Sequence, residues 1–173
     1  MRSIFLILSV LILNGCALNT WQNKSVNHLD SITPKVGKAS EIFLGNGFQV
    51  FRCIQDAKGT YWRFEQPIAN LSNTHGEFLI KHSGPMMAFD HADGSRILSS
   101  RILSWVNPQN PSNDIKPVLM EAITDPGSGF LNDVRYVQRI NTKGGIPQKN
   151  CTTEEVGHLL KVPFKAEYIF WKN

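Results

Sequence analysis

The chain has 173 residues, with 18 Lys+Arg against 14 Asp+Glu, a formal net charge of +4, 13 Gly and 9 Pro. That length supports one domain with a real core. The charge is mild and no two basic residues are adjacent, which excludes a nucleic-acid footprint. The glycines and prolines, set among β-branched and aromatic residues, point to an all-β, turn-rich fold.

Residues 1–15 read as an export signal. Arg2 supplies a positive head, residues 3–13 are almost wholly apolar, and Gly15 precedes Cys16. The apolar run is about half the roughly twenty residues that a membrane span needs. Leu13-Asn14-Gly15-Cys16 resembles the lipobox of bacterial lipoproteins, with Asn14 as a departure. The resemblance implies a covalent lipid on the Cys16 sulfur, fatty acyl groups such as palmitate, and removal of residues 1–15. Ala17 follows the cysteine, which by the same resemblance favours the outer membrane over the inner one; the periplasmic side is the expected face. The competing reading is an ordinary secretory signal in which Cys16 is incidental. Residues 16–33 are polar and aperiodic and read as a lipidated tether, with Trp21 and His28 as its notable side chains.

Beyond Cys16 only Cys53 and Cys151 remain, an even pair suited to an oxidising compartment. A disulfide between them is favoured over two free buried thiols. A two-Cys zinc site is disfavoured, because no CxxC or HxxxH spacing accompanies them.

The domain is expected over residues 34–173. Its first strands are expected at 41–44 and 47–54, split by a Gly45-Asn46-Gly47 turn. Asp56-Ala57-Lys58-Gly59 reads as a hairpin turn before a strand at 60–64. Trp62 and Phe64 share a face of that strand and are assigned to the core. Residues 67–71 read as a connection, and strands follow at 78–82, 86–89 and 96–103. Gly84-Pro85 breaks the first of these, and Asp93-Gly94 makes a hairpin turn. Residues 107–117, with three prolines, read as a surface loop. Strands resume at 118–123 and 134–140, and residues 142–145 read as a loop. A short helical segment is expected within 152–160, with Thr152 or Thr153 as its cap and Glu155 near its start. A final strand at 163–171 puts Phe164, Ala166, Tyr168 and Phe170 on one face. The sum is a β-sandwich or distorted β-barrel with a short helical segment near the C-terminus.

These stretches also resemble a known family. They are Gln49-Val50-Phe51-Arg52-Cys53, Trp62-Arg63-Phe64, His82-Ser83-Gly84-Pro85, Asp93-Gly94-Ser95, Val137-Gln138-Arg139, Asn141-Thr142-Lys143-Gly144-Gly145, Cys151 and Val162-Pro163-Phe164-Lys165-Ala166-Glu167-Tyr168. In that order they resemble the bacterial and fungal family called domain of unknown function 3455, over about residues 34–171. The resemblance implies secreted or envelope proteins and no established reaction. The chain departs from the family in Met86-Met87, where an aromatic often follows Gly-Pro.

No residue set points clearly to catalysis. The candidate ligand site is His82, Gly84, Pro85, Asp93 and Ser95, with Asp90 and His91 nearby in sequence. His nitrogen and carboxylate oxygen there would suit Zn²⁺ or Mn²⁺. Against that, His82 can serve the kink at Gly84 while Asp90 and Asp93 serve turn geometry. Adjacent His82 and Ser83 on a strand point to opposite faces, and no GxSxG elbow occurs, so a hydrolase is disfavoured. Arg135, Arg139 and Lys143 are weighed as an anion site against scattered solvated bases. Tyr136, Tyr168 and Trp171 are weighed as sugar platforms against core packing. The expectation is a non-catalytic envelope lipoprotein that binds a small ligand, glycan or protein partner and needs no cofactor besides its lipid. The alternative is a metal-assisted or hydrolytic enzyme centred on His82 and Asp93.

Overall fold

The structure, a computed structural model, describes residues 29–84, 86–124 and 127–173. The residues read as an export signal, Cys16, Trp21, His28, Pro85, Asp125 and Pro126 lie outside them. Eight antiparallel strands run in chain order around a closed barrel: β1 (Lys38–Asp56), β2 (Gly59–Ser72), β3 (Phe78–Ser83), β4 (Ala88–His91), β5 (Arg96–Trp105), β6 (Val118–Thr124), β7 (Val134–Gly144) and β8 (Leu159–Lys172). Each strand pairs with its chain neighbour, and β1 closes the ring on β8. Closure of this kind removes the sheet's unpaired edges. The all-β class holds, and the architecture is the barrel. The expected helical segment is a single 3-10 turn, Thr153–Glu155, in which Thr152 and Glu155 form the capping box.

Alternation along β8 works as its sequence suggests. Phe164, Ala166, Tyr168 and Phe170 are buried in the interior. Phe43, Phe89 and Phe170 meet edge to face there, the arrangement aromatic quadrupoles prefer. A second, smaller cluster lies apart from this interior core. Ile32, at the end of the 3-10 turn Asp30–Ile32, packs with Val106 and Leu119, and Leu29, Tyr136 and Ile140 join them. Thus the last residues of the expected tether lie against the barrel, and Gln138 donates to the Thr33 hydroxyl.

Several local readings are corrected. Gly45-Asn46-Gly47 is not a turn: β1 runs straight through it. These glycines serve close approach. A Cβ on Gly45 would lie 2.5 Å from the Tyr168 ring, and one on Gly47 would lie 2.1 Å from the Ile68 carbonyl oxygen. Residues 67–71 are part of β2, with Pro67 opposite Gln49 rather than in a connection. The strand expected at 86–89 starts only at Ala88, because Met87 takes a positive φ of 52° in a turn closed by its N–H on the Gly84 carbonyl. Residues 142–144 extend β7, with Lys143 opposite Lys165. Phe64 is 40% exposed and Trp62 only half-buried, so neither is in the core. Both sit where β1 and β2 run beyond the end of β3, whose ladder with β2 stops at Ile68 and Ser83.

Loops contribute to the interior core. Leu131, between β6 and β7, is fully buried in it. Ile115, between β5 and β6, also belongs to it, and Ile146 packs against it. The Asp114 carboxylate, 3% exposed, accepts the Gly144 N–H at 2.7 Å and the Asn113 amide. These bonds hold its pKa below the usual carboxylate range.

The close packing at Gly47 makes a direct test. Gly47→Ala is expected to lower unfolding free energy by about 1–3 kcal/mol, read by chemical denaturation. An unchanged midpoint would contradict the strand assignment at this position.

Candidate functional site

The side chains singled out at 82–95 fall into two separate environments. β3 alternation turns Ile80 and His82 inward, and His82 is 1% exposed. Its Nδ1 donates to the Ala88 carbonyl at 3.0 Å. Its ring stacks on Phe89 with centroids 3.9 Å apart and meets Tyr168 at 5.7 Å. Burial lowers its pKa to about 3, so the imidazole is neutral. Gly84 lies in the β3–β4 turn at φ 87°, its N–H on the Gln66 side-chain oxygen. Pro85 lies outside the described residues.

Asp93 and Ser95 belong instead to the β4–β5 turn. Asp93 Oδ1 accepts the Ser95 N–H and hydroxyl, and its Oδ2 accepts the Phe130 N–H at 2.6 Å. The Ser95 oxygen accepts the Leu131 N–H. These bonds, led by the Ser95 hydroxyl, hold the Asp93 carboxyl below its usual range. His91 lies 2.9 Å from Asp93 and stacks on Phe130. The pair therefore pins the loop that carries the buried Leu131. Gly129 fits there because a Cβ would strike Ser95 at 2.7 Å. Asp90 pairs with Arg96. Among the described residues, no three His, Cys, Asp or Glu side chains gather as a metal site requires.

A cavity lies elsewhere. Trp62 on β2, the β7–β8 loop at Pro147, Gln148, Lys149, Asn150, Thr152 and Glu155, and the β8 segment Leu160, Lys161, Val162 and Pro163 enclose a groove of about 730 Å³. β1 lies between the two strands, with Cys53 opposite Trp62 and Phe51 opposite Leu160. Three constraints hold the loop in place. The Cys53–Cys151 disulfide ties it to β1 across 98 residues. Trp62 Nε1 donates to the Lys149 carbonyl at 3.1 Å. The Thr152 N–H donates to the Glu155 carboxylate at 2.8 Å. Arg52 adds a bond to the Gly157 carbonyl and an ion pair to Glu65. The walls are an indole, two prolines and two aliphatic residues, with amides and opposite charges interspersed. That is the usual make-up of a small-ligand site, in the usual size range of about 300–1,000 Å³.

The family model described as "Protein of unknown function (DUF3455)" matches residues 34–172. The chain belongs to this family. No curated protein matches the chain, and no solved structure does. The match spans all eight strands and both cysteines of the disulfide, so in this DUF3455 chain the groove is part of the family domain. The residue reading missed it by sending Trp62 to the core. The available signal was Cys151, since a bridge to Cys53 must lay its loop against the strand beside Trp62. The remaining candidates also have places. Tyr168 is fully buried and Tyr136 packs in the smaller cluster. Trp171 donates to the Gln138 side chain.

Two outcomes follow from this geometry. The unfolded chain binds a proton on His82 near pH 6.5 while the folded chain resists it to about 3. Its contribution to stability is therefore complete above about pH 6.5 and is lost as pH falls towards 3. In His82→Gln, denaturation midpoints measured between these limits are expected to show a shallower pH dependence, by about one proton. Cys151→Ser is expected to cost on the order of 4–5 kcal/mol in the chain-entropy account. Hydrogen exchange should show the β7–β8 loop loosening before the barrel does.

Proposed function

We propose that this chain is a non-catalytic envelope lipoprotein that holds a small molecule or short glycan segment in the Trp62 groove. The groove itself carries the reading. It is large enough for such a ligand, and it presents an indole and two prolines beside the polar atoms of Gln148, Asn150 and Glu155. Flat apolar rings in a polar frame suit a ligand with one hydrophobic face and hydrogen-bonding edges. A binding role needs no acid–base pair.

Export and anchoring are supported from two sides. The signal ends at Cys16 in a lipobox-like sequence. The Cys53–Cys151 bridge is typical of an oxidising compartment such as the periplasm. A diacylglyceryl group and an amide-linked fatty acid on Cys16 would supply the two or more chains that stable anchoring takes. By the same lipobox resemblance Ala17 favours the outer membrane over the inner one, and the periplasmic side is the face this reading expects. The rival enzyme reading gains little, because Asp93 is engaged in holding a loop and His82 Nδ1 in a backbone bond.

Native mass spectrometry of the full chain, purified from its own envelope, tests both halves. A mature N-terminus at Cys16 with added lipid is expected, together with a retained non-covalent adduct. Trp62→Ala should lose at least tenfold in adduct occupancy and keep its thermal transition. An unlipidated N-terminus would refute the anchor. An adduct insensitive to Trp62→Ala, or none at all, would refute the groove.

A further inference from the structure

We infer that the barrel carries a second ligand site, separate from the Trp62 groove, that takes an amphipathic molecule with an anionic head, such as a carboxylate on a hydrocarbon chain. The site is a side opening in the wall. β4 meets β5 through only two register pairs, Phe89 with Ile97 and Asp90 with Arg96. The β2–β3 ladder stops at Ile68 and Ser83. Beyond these points β5 pairs only with β6 and β2 only with β1. Among the described residues, no strand lies between β2 and β5 there.

The inner face at this opening is apolar yet uncovered. Ile102 is in register with Met120, and Trp105 with Val118, both of them core residues. Side chains in register share a face of the sheet, so Ile102 and Trp105 face inward. They are nonetheless 46% and 51% exposed. Phe64, across the opening and in register with the buried Phe51, is 40% exposed. A soluble barrel normally fills such positions with its own side chains.

A cation sits deeper on the same row. The register runs from Trp105 through Val118 and Arg139 to Tyr168, so Arg139 faces inward beside a fully buried tyrosine. Arg139 has no ion pair to a carboxylate among the described residues. Its Nη2 donates to the Lys116 carbonyl, and its buried Nε has no partner. The Tyr168 hydroxyl is also buried, with the Arg139 guanidinium beside it but no hydrogen bond of good geometry. Lys116 brings a second cation, its Nζ 3.3 Å from the Trp105 ring centre. Unsatisfied buried donors cost free energy that a bound acceptor would return. An anionic head at Arg139 and Tyr168 would satisfy both donors and balance the charge. An apolar tail would cover Trp105, Ile102 and Phe64.

The experiment uses the full chain in nanodiscs of zwitterionic lipid, with empty discs as the blank, titrated with dodecanoate and with dodecanol. Saturable dodecanoate binding is expected, at least tenfold tighter than dodecanol. Arg139→Met should weaken dodecanoate about tenfold or more and leave dodecanol unchanged. Tyr168→Phe should weaken dodecanoate several-fold, which decides the matter if Arg139→Met fails the thermal-transition check for folding. Trp105→Ala should weaken both ligands. Equal affinities, no saturable binding, or indifference to Arg139→Met and Tyr168→Phe would overturn the site. So would loss of dodecanoate binding in Trp62→Ala, which would move the ligand to the groove.

Discussion

The molecule depends on one strand having two partners along most of its length. β1 is in register with β2 from Leu44 to Asp56 and with β8 from Lys38 to Arg52. That double pairing joins the first hairpin to the last strand and closes the ring. It works because β1 carries no side chain at two crowded points. Tyr168 leans over Gly45, and Ala69 presses on Gly47. A residue with a Cβ at either place would push β1 away from a neighbour or displace the tyrosine from the core.

Closure leaves the barrel uneven, and the unevenness makes the sites. β1, β2 and β8 run on past the short β3 and β4, so part of their surface projects beyond the ring. The disulfide then draws the β7–β8 loop against this projection and produces the groove beside Trp62. The same shortness of β3 and β4 leaves Phe64 on β2 and Ile102 and Trp105 on β5 uncovered. Two loops are fastened by carboxylates. Asp93 and Ser95 hold Phe130 and Leu131, and Asp114 holds Gly144. The residues that looked most like chemistry in the sequence are thus partly fasteners.

Much of the fold is legible residue by residue. β8 reads correctly because its inward positions are all apolar or aromatic and alternate without a break. The Thr152 and Glu155 cap is legible because both partners lie within one turn. The misread places share a cause. Gly45-Asn46-Gly47 has the composition of a turn, and only the packing against Tyr168 and Ala69 shows why glycine is needed in a strand. Trp62 has the composition of a core residue, and only the early end of β3 leaves it outside. Arg139 shares a face of β7 with Val137, but Arg135 shares it too, and nothing local says that this face turns to the barrel interior beside Tyr168.

The amino-acid order by itself determined the all-β class, the family, the cysteine pair and most strand positions, because alternation, turn residues and cysteine number act over short stretches. Tertiary structure alone decided the closed ring, the groove and the side opening. These arise from strand lengths and register, which are settled where distant segments meet. Whether a given Trp, Arg or His is covered, stacked or open depends on neighbours that can lie far away in the chain, as Cys53 and Cys151 do at a separation of 98 residues.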